Sequence, residues 1–206
     1  MGQTGDSWRE RGVYWAAWLW ALLHVTWGVL QGPQPHGERP PPSAAVALAN
    51  DLGFWALCWL AAALACTPLR RWTGATWPAR WRRTLGLTAA LWSLAHVLVW
   101  WVGEQGLQWS STAAQFRAHL WLWPGLLALL GMALLAATSP AAAVRGLGAG
   151  RWRLVHRGVY AVALLAVAHY ALRPWADPQH WLAFGLAITI LLVARRSGPT
   201  DGAVRK

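Results

Sequence analysis

The chain has 206 residues, of which 56% are hydrophobic and only 12% charged. Soluble domains carry about 25% charged residues, so the composition excludes an ordinary soluble domain and points to a polytopic membrane protein. The net charge of +11 sits in short clusters between apolar runs, which argues against a nucleic-acid surface and fits loops on one side of a bilayer.

Residues 1–12 form a polar N-terminal segment with Arg9 and Arg11 at its end. Val13 to Leu30 is apolar and long enough to span a bilayer. Gln31-Gly32-Pro33 follows it instead of a small-residue cleavage site, so this run reads as a helix and not as a signal peptide. A Pro-rich loop extends to Ser43. Ala44 to Cys66 is the second run, interrupted by Asn50-Asp51 and stopped by Thr67-Pro68-Leu69-Arg70-Arg71. The loop after it carries Arg70, Arg71, Arg80, Arg82 and Arg83. Leu85 to Val102 is the third run and Leu120 to Ala137 the fourth, with a weakly charged loop between them. Thr138-Ser139-Pro140 ends the fourth, and a second basic loop follows. Leu154 to Leu172 is the fifth run, Trp181 to Ala194 the sixth, and residues 197–206 form a short polar tail.

This pattern predicts an all-α membrane protein: a bundle of six transmembrane helices over 13–196. Of the 18 Lys and Arg, only Arg39, Arg117 and Arg173 fall opposite the termini. That bias predicts both termini in the cytoplasm. The 19 Trp outnumber the 3 Tyr and 3 Phe. Trp15, Trp100, Trp101, Trp121, Trp123 and Trp181 lie near run ends, as interfacial aromatic belts do. Cys58 and Cys66 share the second run and read as free thiols. The absence of a CxxCH motif excludes covalent c-type haem attachment.

His36, His119 and His180 fall in outer loops or at outer helix ends, where solvation accounts for them. His24, His96, His156 and His169 lie inside apolar runs, where ionisable residues are costly. At a rise of about 1.5 Å per residue, His96 lies about 20 Å from Arg83 and His169 about 24 Å from Arg153. Both therefore fall in the outer half of a hydrocarbon core about 30 Å thick. Two imidazoles at one depth on different helices are what a bis-histidine haem needs. His156 is only about 4–5 Å past the inner edge, where the third run offers Arg82 and Arg83. Three roles stay open for it: an inner haem with a weaker partner, a flavin or quinone contact, or hydrogen bonding at the interface. On a straight helix it stands about 140° around from His169. His24, near mid-membrane, is a packing residue or a further ligand. No Gly-rich dinucleotide fingerprint follows a strand, and the tail is short. Electrons are therefore expected from a quinol, a bound flavin or a separate cytoplasmic flavin reductase.

Several segments occur in the order found in one family. They are Thr67-Pro68-Leu69-Arg70-Arg71, Arg82-Arg83 with Leu85-Gly86-Leu87, Leu94-Ala95-His96 and Thr138-Ser139. Arg145-Gly146-Leu147-Gly148 follows with Trp152, Leu154, His156, Val159 and Tyr160, and then His169-Tyr170. In these the chain resembles the MsrQ/YedZ proteins of the ferric-reductase-like transmembrane superfamily, with a core of about 44–196. The resemblance implies a multi-pass protein of the bacterial inner membrane that binds haem b. It implies electron transfer to a periplasmic molybdenum-containing methionine sulfoxide reductase, an electron-transfer subunit and not a complete enzyme. It puts the haem-iron ligands at His96 and His169, with His156 a third position of the pattern. It also implies FMN, whose phosphate has Arg82, Arg83, Arg145 and Arg151 as candidate partners on the cytoplasmic face. Asn50-Asp51-Leu52-Gly53 departs from the aromatic-Thr-Gly entry common in the family. One alternative is a related carrier with a different outer acceptor. A transporter or scaffold is the other, although the paired broken segments of transporters are missing.

Overall fold

The computed structural model describes residues 43–196 except 175, with residues 16, 19 and 23 as isolated positions upstream. The first apolar run with His24, the loop with His36 and the polar tail lie outside the described residues. Seven helices and no strand occur among the described residues: α1 (Ala44–Thr73), α2 (Trp77–Gly103), α3 (Trp109–Ala118), α4 (Leu122–Ala137), α5 (Ala141–Arg157), α6 (Val159–Ala171) and α7 (Pro178–Arg196).

α1 starts where Ser43 Oγ accepts from Val46 N at 3.2 Å, a side-chain N-cap. It does not stop at Thr67-Pro68. The helix runs on to Thr73 and ends at Gly74, whose left-handed φ of 68° lets its N–H reach Arg70 O. A proline inside a helix forfeits one hydrogen bond, but Pro68 is fully buried and packing holds the helix through it. Asn50-Asp51 likewise leaves α1 unbroken. α2 returns antiparallel to α1, and the pair closes at the far end. There Ser43 Oγ donates to Glu104 Oε2 at 2.5 Å, and Gly103 lies so near Ala45 that a Cβ would stand 2.5 Å from the Ala45 Cβ.

Both basic segments expected as loops are largely helical. Arg, Ala and Leu are good helix formers, and Arg145, Arg151, Arg153 and Arg157 stay exposed along α5. The break comes at Gly148, where φ 72° and ψ 154° bend α5; only glycine takes that conformation without strain. The segment expected as a loop after α2 also contains a helix, α3, which meets α4 at a bend of 117°.

One core joins Leu60 and Leu64 of α1, Ala89 of α2, Ala128, Met132 and Leu135 of α4, Val162 and Ala163 of α6 and Ile188 of α7. Leu48, Leu52, Ala56 and Trp92 form a second between α1 and α2. Leu98, Leu127, Leu134, Leu164, Leu186 and Ile190 are exposed. An apolar exterior is what lipid requires, because hydrocarbon does not drive such side chains inward.

Ala44–Thr73, Trp77–Gly103 and the continuous Ala141–Ala171 are long and apolar enough to cross a membrane. α3 and α4 make a fourth candidate if the bent pair is one span, and Pro178–Ala194 is a shorter apolar helix. Of the six spans expected from sequence, the described residues thus supply three, or up to four with the bent pair. The free-thiol reading holds for Cys58 and Cys66, the latter buried.

Candidate functional site

α2 and α6 bring His96 and His169 together. Their ring centroids are 6.2 Å apart and their planes meet at 76°. Each ring is held from another helix. His96 Nδ1 lies 2.6 Å from the carbonyl oxygen of Ala49 in α1. His169 Nδ1 lies 2.8 Å from the carbonyl oxygen of Trp121, just before α4. A carbonyl only accepts, so each Nδ1 carries the proton and donates. Each Nε2 is left with its lone pair, the form of imidazole that ligates metals.

The two cradles share one design. Four residues after each accepting carbonyl stands a glycine, Gly53 after Ala49 and Gly125 after Trp121. A Cβ on Gly53 would stand 3.0 Å from His96 Nδ1, and one on Gly125 would stand 2.5 Å from His169 Nδ1. In a helix the carbonyl of residue i points toward residue i+4, so a side chain there would cover it. Glycine uncovers the oxygen and admits the ring. Sequence reasoning found the histidines but missed both glycines and both carbonyls. The one available signal was a glycine within an apolar helix, where it costs helix stability and so asks for a packing reason.

Around the pair lie groups that also escaped the sequence. The Trp121 ring stands 5.3 Å from that of His169. Arg173, four residues past His169, donates through one terminal nitrogen to Asn50 Oδ1. Its guanidinium lies over the Tyr170 ring at 4.8 Å. Burial pulls the Arg173 pKa below its ordinary value, and Tyr170 opposes that shift. Arginine starts high enough to stay charged. Arg173 Nε and Trp121 Nε1 are both buried without a hydrogen-bond partner.

His156 does not join the pair. It stacks on Trp152, with centroids 4.2 Å apart and planes at 28°, and its Nε2 lies 3.1 Å from Thr138 Oγ1. The Thr138 hydroxyl has one proton, and Leu134 O at 2.8 Å is its closer acceptor. With that proton on Leu134 O, His156 Nε2 donates to the hydroxyl; with it turned to His156, Nε2 accepts. Trp152 Nε1 donates to Thr138 O at 3.0 Å and completes the knot.

Among the described residues no three His, Cys, Asp or Glu side chains converge as metal ligands. The His96–His169 pair thus offers two nitrogen donors and nothing more, a set that suits a metal whose other ligands come from a macrocycle. Residues 52–167 match the model of the ferric reductase like transmembrane component. The chain belongs to that family. It is a multi-pass membrane protein, and its similarity runs to the MsrQ branch of the family. It is 37% identical to the protein-methionine-sulfoxide reductase heme-binding subunit MsrQ of Ralstonia nicotianae, over 78% of this chain and 72% of that protein. The MsrQ of Rhodospirillum rubrum is 38% identical over 72% of each chain. That of Deinococcus radiodurans is 33% identical over 94% of this chain and 92% of its own length. The family match encloses His96 and His156, and His169 lies two residues past its end.

Proposed function

We propose that the chain is the haem-binding membrane subunit of a protein-methionine-sulfoxide reductase system, with His96 and His169 as axial ligands of one b-type haem. The observation that carries this reading is the pair itself. Two metal–imidazole bonds of about 2 Å, with a ring radius of about 1.2 Å on either side, put two centroids roughly 6 Å apart across a shared metal. The 6.2 Å between His96 and His169 fits that spacing, and their Nδ1–H bonds to Ala49 and Trp121 preset the ligating tautomer. A haem bound there supplies one-electron exchange between ferric and ferrous iron. The chain's own part is to fix both rings, exclude water with the flanking helices and set the local charge through Arg173.

In this reading the chain lies in the bacterial inner membrane with both termini cytoplasmic. Its histidine end faces the periplasm, where a molybdenum-containing methionine sulfoxide reductase takes the electrons. The basic end, with Arg82, Arg83, Arg145 and Arg151, faces the donor, a quinol or a cytoplasmic flavin reductase, and is where an FMN phosphate would be met. A reduced-minus-oxidised visible spectrum of the purified chain, with a pyridine haemochrome count, tests the proposal. A b-type bis-histidine spectrum with about one haem per chain is the expected result. Folded protein made with ample haem but carrying none would overturn it.

A further inference from the structure

We infer that Arg173 is the seat of a haem carboxylate, pairing its guanidinium with a propionate of the cofactor bound between His96 and His169. This inference rests on the haem reading above and adds a binding residue to it. Arg173 is half-buried at the end of α6, and a buried cation is costly unless it is paired. Its two engagements, the Asn50 side-chain oxygen and the face of Tyr170, orient the group but supply no full negative charge. Among the described residues no carboxylate is recorded in contact with it. Its Nε is buried with no partner, although donors in that state are rare in finished structures. Its partner Asn50 directly follows Ala49, whose carbonyl holds His96, and Arg173 itself stands four residues past His169. A second orphaned donor, Trp121 Nε1, belongs to the residue whose ring and carbonyl both touch His169.

A planar guanidinium with unspent N–H groups recognises carboxylates in particular, through charge-assisted hydrogen bonds. Haem brings two carboxylates on one edge, the chemistry that an unspent guanidinium recognises. Asn50 and Tyr170 hold the Arg173 plane, and that fixed orientation saves part of the entropy of ordering a long side chain.

The test uses the full chain in lipid nanodiscs, loaded either with haem or with haem dimethyl ester, whose propionates carry no charge. Release of each to excess apomyoglobin is followed in the Soret band. Wild-type chain is expected to lose the ester about tenfold faster than haem, the effect of one charge-assisted contact. In Arg173→Gln the two should leave at nearly equal rates, with Arg173→Lys between. All three should keep the bis-histidine spectrum. Unchanged discrimination in Arg173→Gln would overturn the inference, because a residue that only braces Asn50 and Tyr170 would speed both losses alike. A wild type that holds haem but does not discriminate against the ester overturns it too. A wild type that holds no haem at all instead removes the haem reading, and this inference with it.

Discussion

His96 and His169 sit together in apolar helices at one end of the bundle, whereas His156 at the other end lies in the basic helix α5 among different neighbours. At the paired end, backbone carbonyls of Ala49 and Trp121 take the Nδ1 protons, and each Nε2 is left able to bind metal. At the basic end, Nε2 of His156 lies 3.1 Å from the Thr138 hydroxyl and the ring is stacked on Trp152. One end pairs two imidazoles whose Nδ1 protons face carbonyls, and the other packs a single imidazole between α5 and the end of α4. What a histidine in such a helix can offer depends on its surroundings. Its neighbours' acceptors decide which nitrogen is left over.

The harshest way to break this contrast is to delete each histidine. Under the haem reading, His96→Ala or His169→Ala removes one of two axial donors, and each is expected to abolish the bis-histidine spectrum. His156→Ala should leave that spectrum and the haem count unchanged. Loss of the spectrum in His156→Ala, or its survival in both of the others, would reverse the assignment. Next in size is Gly125→Ala. Its Cβ would stand 2.5 Å from His169 Nδ1 and 2.7 Å from Cε1, inside any tolerable contact. The ring has to leave the Trp121 carbonyl, and most of the haem should be lost. Gly53→Ala is milder, because its Cβ would meet His96 at 3.0 Å and a few tenths of an ångström of ring movement relieve it. Partial occupancy is expected there. Equal haem content in the two glycine variants would break the argument that cradle tightness governs ligand placement.

The paired end was legible in the sequence because depth follows from helical rise alone. His96 and His169 can be matched by counting residues from Arg83 and Arg153, with no knowledge of which helices touch. The cradle was not legible, since the oxygens of Ala49 and Trp121 matter only once α1 and α4 are known to flank α2 and α6. Arg173 reads from sequence as one more outer charge, and its burial against Asn50 is set by an approach of distant segments. Boundaries failed where a local rule met packing. Pro68 marks a stop by propensity, but a buried, well-packed helix carries on through it. Clustered arginines read as a loop, whereas α5 needs only Gly148 to bend.

The smallest effect sharpens the other half of the contrast. Thr138→Val keeps the shape of the side chain but removes the hydroxyl that hydrogen-bonds His156, and a neutral hydrogen bond of this kind contributes about 1 kcal/mol. The midpoint of thermal unfolding of the full chain in detergent should fall by a few degrees, with the visible spectrum unmoved. His156→Ala should cost somewhat more, since the stack on Trp152 goes as well. Combining the two decides what the contact is. If Thr138 and His156 stabilise the chain through each other, the double variant loses less than the sum of the single losses, because the shared bond can be lost only once. Strict additivity would mean that the two side chains act separately. His156 Nε2 would then be independent of Thr138, which favours a ligand of its own at the basic end.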